Sequence, residues 1–232
     1  FSLSRGLGDV YKRQGITVIV PEGPLDMGIV DRFREAGLQC LGPTKTASKL
    51  EGSKGFAKEF MHRFNIPTGR YQIFSDLADA KEYVRTQGAP IVIKADGLAA
   101  GKGVVVALSE DQAMLALEQI MSEGRVGEAG QTVVIEEFLE GEEASFICIC
   151  DGKTAIPFAS SQDHKARDEG DLGPNTGGMG AYSPAPVVTP EIHRAVMTKI
   201  IKPTIDGMAA DGAPFVGFLY AGLMIDSFGQ AS

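Results

Sequence analysis

Apolar positions recur along this chain in two rhythms, one of two residues and one of three to four, and their alternation outlines strands and helices. Ile16–Val20 is a run of strand-forming residues and predicts a buried strand, and Pro21-Glu22-Gly23-Pro24 predicts a turn. Helical spacing follows over Gly28–Ala36, with Ile29, Val30 and Phe33 on one face, and Gln39–Leu41 is a short strand ended by Gly42-Pro43. One long helix is predicted over Ser48–Phe64, stopping before Pro67.

The next block alternates clearly. Arg70–Phe74 reads as a strand, and Ser75 is the predicted cap of a helix over Asp76–Gln87. Pro90–Lys94 and Gly103–Leu108 are strands on either side of a glycine loop, Ser109 caps a helix over Glu110–Ser122, and Thr132–Phe138 is a further strand. Together they predict a compact α+β lid. Ala144–Cys150 and Thr154–Ser160 predict an antiparallel pair joined at Asp151-Gly152. A helix starts at Pro190 and should be kinked or broken by Pro203, and Gly217–Asp226 is a last strand before a turn at Ser227-Phe228-Gly229.

Between these blocks, Gln162–Pro184 has the period of neither a strand nor a helix and reads as a long loop. Loops beyond about 12–15 residues in a compact protein are functional or disordered. Disorder fits poorly here, because bulky apolar side chains stand between the glycines of Gly177-Gly178-Met179-Gly180-Ala181-Tyr182. Such glycines allow a backbone to approach a ligand closely. The first half supplies Asp163, His164, Lys165, Arg167 and Asp171, enough charge to hold a small zwitterion or a phosphate.

Composition narrows the partners. The chain has 232 residues, 44% hydrophobic and 22% charged, as expected for a globular protein. Its 22 basic against 30 acidic residues give a net charge of −8, which argues against a nucleic-acid partner. No apolar run approaches a membrane span, and no signal peptide with an apolar core is present, so no membrane partner is expected. Cys40, Cys148 and Cys150 lack metal-site or disulfide-framework spacing. Cys148 and Cys150 should be buried thiols on one face of a strand, and the expected compartment is a reducing cytoplasm.

Two segments carry candidate phosphate and nucleotide chemistry. Lys94 ends a β-branched strand, and the following Gly97-Leu98-Ala99-Ala100-Gly101-Lys102-Gly103 offers backbone N–H groups and a lysine to anionic oxygens. The spacing differs from a Walker A loop, which has four residues before its Gly-Lys and then Ser or Thr. Alone, the segment is either a phosphate cradle or a solvated hairpin. Val134–Ser145 joins two strands and is either an acidic turn or a short connector whose backbone meets a base and whose carboxylate meets ribose hydroxyls. A serine hydrolase is a poor reading, because Ser160 and Ser161 have no nucleophile elbow around them.

Asp163-His164-Lys165, followed by GPNTGGMGAYSP from Gly173 to Pro184, resembles the glycinamide ribonucleotide synthetase family, the phosphoribosylamine–glycine ligases. The resemblance covers roughly Gly15 to Gln230. It implies an ATP-grasp fold, two α+β subdomains clamping ATP, preceded by the remnant of an α/β Rossmann-like domain. The implied division is 15–47 for that remnant and 48–232 for the ATP-grasp part, with the lid at 70–138. The implied reaction joins glycine to 5-phosphoribosylamine through a glycyl phosphate, with ATP converted to ADP and phosphate.

The same resemblance implies roles. Lys54, Lys94 and Lys102 meet the ATP phosphates, with Gly97, Leu98, Gly101, Gly103 and Val104 in the closing loop. Glu136, Glu137, Phe138 and Leu139 form the adenine hinge, and Glu143 meets the ribose. Glu22, Asp163, His164, Lys165, Asp171, Asn175, Thr176, Gly177 and Gly178 are placed at the phosphoribosylamine or glycine. Another ATP-grasp amine ligase is disfavoured by GPNTGGMGAYSP.

Three departures from the family pattern stand out. Phe1–Gln14 has no counterpart and reads as a non-native extension. Val20 stands where the family has glycine, and Lys165-Ala166-Arg167 replaces a lysine–arginine pair. In the family the magnesium or manganese ligands lie on a strand beyond Ser232, so the expectation is a fragment lacking both family termini and inactive by itself.

Overall fold

A computed structural model of the chain describes residues 15–99, 103–123, 126–170 and 172–232. The N-terminal part is a small parallel pair, β1 (Thr17–Val18) beside β2 (Cys40–Leu41), with α1 (Glu22–Asp26) and α2 (Ile29–Glu35) between them. Val30 and Leu25 are buried against Ile19, as the helical face of α2 predicts. The predicted turn at Pro21–Pro24 is instead the start of α1, because proline is tolerated in the first turn of a helix, where no N–H partner is needed.

The predicted helix over Ser48–Phe64 is two helices, α3 (Lys49–Gly52) and α4 (Lys54–Arg63). Ser53 breaks the run in an extended conformation and caps α4, accepting from the Phe56 N–H. A distant residue causes the break. The Asp96 backbone carbonyl takes the Lys54 N–H at 3.1 Å, and its carboxylate takes the Gly55 N–H at 2.6 Å. These bonds satisfy the free donors at the start of α4.

The lid is one antiparallel sheet, order β3-β6-β4-β5, from β3 (Tyr71–Phe74), β4 (Ile91–Ala95), β5 (Val104–Ala107) and β6 (Val133–Glu137). Two helices, α5 (Leu77–Gln87) and α6 (Glu110–Met121), cover one face and bury Ile91, Ile93, Ala107, Val133 and Ile135. Ser109 caps α6 as predicted, but the cap of α5 is Asp76 rather than Ser75, its carboxylate accepting from Ala78 and Asp79. The opposite face of the sheet carries Val92, Lys94, Val134 and Glu136 toward α4.

A second sheet, order β11-β7-β8, joins β7 (Glu142–Asp151), β8 (Ala155–Pro157) and β11 (Val216–Ile225) in antiparallel register. Its inner face packs Phe146, Cys148, Cys150, Leu219 and Leu223 onto α4, α7 (Pro190–Val196) and α8 (Lys202–Ala210). Pro203 neither breaks nor ends this helical run. A π-helical turn over Met197–Ile201 precedes it, and such a turn accommodates a lost backbone bond.

The predicted loop over Gln162–Pro184 is a bulged antiparallel ribbon, β9 (Gln162–Asp168) with β10 (Leu172–Tyr182). Register shifts fall between Leu172 and Asn175 and between Asn175 and Gly180. They erase the two-residue alternation by which strands are recognised. Most of the ribbon is exposed, so burial imposes no alternation on it either.

Gly207 of α8 lies against two phenyl rings, Phe60 of α4 and Phe64 at its C-terminal cap. An added Cβ would stand 2.9 Å from Phe60 Cζ and from Phe64 Cδ2. Phe60 is 1% exposed and has no room to retreat. Gly207→Ala is therefore expected to cost about 1–3 kcal/mol, as overpacking does. Urea denaturation measures it, and unchanged stability would mean that the rings can shift.

Candidate active site

The site is built where α4 meets the uncovered face of the lid sheet. Lys94 on β4 and Glu136 on β6 share that face, and Lys94 Nζ lies 2.9 Å from Glu136 Oε1. The other carboxylate oxygen of Glu136 takes Lys58 Nζ of α4 at 2.8 Å. Lys58 also donates to Thr68 Oγ1 at 2.6 Å. The side chains of Lys58 and Glu136 are each 9% exposed, whereas that of Lys94 is 29% exposed. Burial lowers the Lys58 ammonium below the usual lysine range, against the pull of Glu136.

Lys54, at the start of α4, points to the glycine loop and donates to the Gly97 carbonyl at 3.2 Å. Burial lowers its pKa, opposed by Asp96 and reinforced by the charge of Lys94. Lys54, Lys58 and Lys94 thus share one electrostatic neighbourhood. The glycine loop is pinched at its base, where the Ala95 N–H meets the Gly103 carbonyl at 2.7 Å. A Cβ at Gly97 would stand 2.9 Å from Ala129 Cβ, and one at Gly103 would stand 2.7 Å from Ala99 Cβ, so both ends need glycine. Leu98 and Val104 are 38% and 42% exposed, on the open side. Beside the loop is a cleft of ≈ 410 Å³ lined by Asp26, Gly52, Asp96, Gly97, Leu98 and Thr132, among others. Gly101, Lys102 and Asp171 lie outside the described residues.

The connector after β6 is held at its start. The Glu137 carboxylate accepts from the Arg70 N–H and from Arg70 Nε, both at 2.7 Å, and the Glu137 N–H reaches the Arg70 carbonyl. The Arg70 backbone bond, with its side chain, holds the Glu137 carboxyl below the usual range. Phe138 and Leu139 then leave the strand ladder, with Phe138 36% exposed.

A second group forms around the β9–β10 ribbon. Lys165 Nζ lies 3.5 Å from Glu143 Oε1 at the start of β7. Burial is the largest influence on Lys165 and lowers its pKa, but the charges of Glu143, Tyr220 and Asp163, with the Glu143 hydrogen bond, together shift it upward. The His164 ring faces Tyr182 at 5.4 Å. Thr176 donates to the Lys165 carbonyl and accepts from the Gly178 N–H, and a Cβ at Gly178 would stand 2.9 Å from Asp163 Oδ1. Gly177 is open to solvent, and Asn175 stands opposite Ala166. Arg167 pairs with its neighbour Asp168 at 2.8 Å and is exposed. Glu22 lies beside Glu51 in the N-terminal part, and burial together with that neighbouring charge raises the Glu51 carboxyl.

Sequence reading had missed Lys58, Thr68, Arg70 and Asp96. Lys58 left one usable signal. Lys54 and Lys58 are four apart on one helix, and like charges at that spacing are unfavourable unless a carboxylate meets them.

Comparison with known proteins decides the family. The model of the phosphoribosylglycinamide synthetase ATP-grasp (A) domain matches residues 52–231, and that of the N domain matches residues 6–51. The chain belongs to the phosphoribosylglycinamide synthetase family. The N-domain match takes in residues 6–14, part of the segment set aside on sequence. A family relative named phosphoribosylamine–glycine ligase, from Allochromatium vinosum, is 58% identical over 226 residues, 97% of this chain and 53% of the relative. The chain thus spans about half the length of the curated relatives it matches.

The crystal structure of a phosphoribosylamine–glycine ligase from Thermotoga maritima superposes with a TM-score of 0.82 at 31% identity, covering 98% of this chain and 56% of that one. A more distant likeness, of fold alone, is to D-alanyl-alanine synthetase A from Vibrio cholerae, with a TM-score of 0.70 at 17% identity over 93% of this chain and 65% of that one. The synthetase family's fold is ATP-grasp. Among the described residues, no helix is long and apolar enough to cross a membrane.

Proposed function

We propose that this chain belongs to a ligase that joins glycine to 5-phosphoribosylamine, giving glycinamide ribonucleotide, and that the face of the sheet toward α4, with the adjoining glycine loop, grips ATP for that step. The observation that carries the reading is the convergence of Lys54 and Lys94 beside a glycine-pinched loop. ATP would transfer its γ-phosphoryl group to the glycine carboxylate, giving glycyl phosphate and ADP, and the amine would then attack the acyl carbon, forming the amide and expelling phosphate. Phosphoryl transfer needs little from a protein except positioning and cation density.

In this reading Lys54 and Lys94, with Lys102 from the loop, neutralise phosphate oxygens. Gly97, Leu98, Gly101, Gly103 and Val104 close over them. The backbone of Glu136–Leu139 meets the adenine edge, Phe138 and Leu139 being free of the strand ladder, while Glu143 accepts from the ribose hydroxyls. The ribbon, through Asp163, His164, Lys165, Asp171, Asn175, Thr176, Gly177 and Gly178, holds phosphoribosylamine or glycine, with Glu22 on the sugar-phosphate side. The lid excludes water from the acyl phosphate.

Magnesium or manganese is the cation we expect beside ATP. Among the described residues no three His, Cys, Asp or Glu side chains converge to hold a metal ion.

Lys94→Ala tests the reading. A charge-assisted bond to phosphate contributes about 1.5–3 kcal/mol, so ATP affinity should fall roughly 10–100-fold. Calorimetry with and without magnesium measures it. Unchanged affinity in the variant would place ATP elsewhere.

A further inference from the structure

The reading above leaves Lys58 without a part, yet its place is unusual. One carboxylate, Glu136, lies between two ammonium groups, Lys58 at 2.8 Å and Lys94 at 2.9 Å. A single negative charge cannot neutralise both. An ion pair meant only to satisfy a buried glutamate would need one lysine, and burying a second ammonium has a desolvation cost that its attraction must offset. The two lysines also differ in freedom. Lys58 is the more buried, is tied to Thr68 Oγ1 at 2.6 Å, and lies over the Tyr71 ring at 5.8 Å from its centroid. Among the described residues Lys94 has no second hydrogen-bonded tie, and its side chain stands three times as exposed, 29% against 9%.

We propose that Lys58 is a positioning residue for nucleotide binding: it anchors Glu136 and takes up part of its charge, so that Lys94 is kept on the face of the sheet beside α4 but held loosely enough for a phosphate to take it. The proposal rests on that face being the nucleotide site. Without Lys58 the whole charge of Glu136 falls on Lys94, and the two form a closed pair that a phosphate must break. With Lys58 present, transfer of Lys94 to a phosphate leaves Glu136 still paired, and no buried charge is stranded.

Two readouts on the purified chain, on Lys58→Met and on Lys58→Arg test this, with Lys58→Gln in reserve should the methionine variant not fold. The first needs no nucleotide. A short pulse of acetic anhydride acylates free lysine amines, and mass spectrometry reads Lys94 against the exposed Lys199. Lys58→Met should slow acylation of Lys94 about fivefold to tenfold, since Glu136 then holds its ammonium alone, and Lys58→Arg should restore the rate to within about twofold. An unchanged rate in Lys58→Met overturns the proposal.

The second readout is calorimetric binding of ATP and of adenosine. Lys58→Met should weaken ATP about tenfold, the size of one charge-assisted contact, with adenosine unaffected and Lys58→Arg rescuing. Equal weakening of both ligands would mean a merely structural lysine and would overturn the proposal. If the folded parent chain binds neither ligand, the nucleotide reading of this face fails, and with it the purpose assigned to Lys58. The acylation result would still decide whether Lys58 governs the hold on Lys94.

Discussion

Glu136→Gln is expected to destabilise the folded chain by about 3 kcal/mol, at the lower end of what breaking a buried ion pair costs. The glutamine is nearly isosteric, so packing is kept and only the charge is lost. Lys94, with a side chain 29% exposed, can turn its ammonium toward water, but Lys58 at 9% cannot. It would keep Thr68 Oγ1 and an amide oxygen as partners, neither of them charged. Urea denaturation at neutral pH measures the loss. The companion variant Lys58→Met/Glu136→Leu removes both buried charges together, and its stability should return to within about 1 kcal/mol of the parent, because apolar replacement of a whole buried pair is often neutral. If Glu136→Gln were as stable as the parent, the ammonium of Lys58 would have to reach solvent in the folded chain.

Stability should also fall steeply in alkali, and the two strand cysteines are the reason. Cys148 and Cys150 are 0% and 2% exposed on the inner face of β7. Burial pushes the Cys148 thiol up to about 11, and burial with the neighbouring charges of Cys148 and Asp151 pushes Cys150 up to about 12. In the unfolded chain both titrate near an ordinary value of about 8.5. Above that pH the folded state binds more protons than the unfolded one. Their contribution is therefore complete below about pH 8.5 and is lost as the pH rises toward the folded values.

Each thiol adds a slope of about 1.4 kcal/mol per pH unit, so the pair adds roughly 2.7 kcal/mol per unit between about pH 9 and 11. Lys54 and Lys58, whose values are lowered in the fold, act in the opposite sense just below the ordinary lysine range. Urea denaturation from pH 8 to 10.5 under reductant, on the parent and on Cys148→Ala/Cys150→Ala, isolates the thiols. The double variant should lose most of the alkaline slope. Parallel curves would show that the thiols ionise without unfolding.

Where a residue's environment is set by its near neighbours in sequence, reading the chain located it in most cases, the cap of α5 and the turn at Pro21–Pro24 being exceptions. The alternation of β7 placed Cys148 and Cys150 on the buried face, and Ser109 was recognised as the cap of α6 because a cap acts within three residues. The lid strands, the Asp151-Gly152 hairpin and the final strand were legible for the same reason, since one face of each is buried and imposes a period. The ribbon β9–β10 was not legible. Its bulged register and exposed faces leave no period to find, although its residues carry the family resemblance most clearly.

The sequence by itself determined the family and the elements with one buried face, and through the family resemblance it named Lys54, Lys94 and Lys102 as candidates to meet a phosphate. Only the tertiary structure decided that Asp96 splits a helix in two by seating its carboxylate on the Gly55 N–H, 41 residues away. It alone brought Lys58, Glu136 and Lys94, from three separate elements, into one charge string. The physical reason lies in the range of the forces. Periodicity and capping act over a few residues and leave their mark in adjacent letters. A buried charge is made tolerable only by a partner that folding delivers from far along the chain.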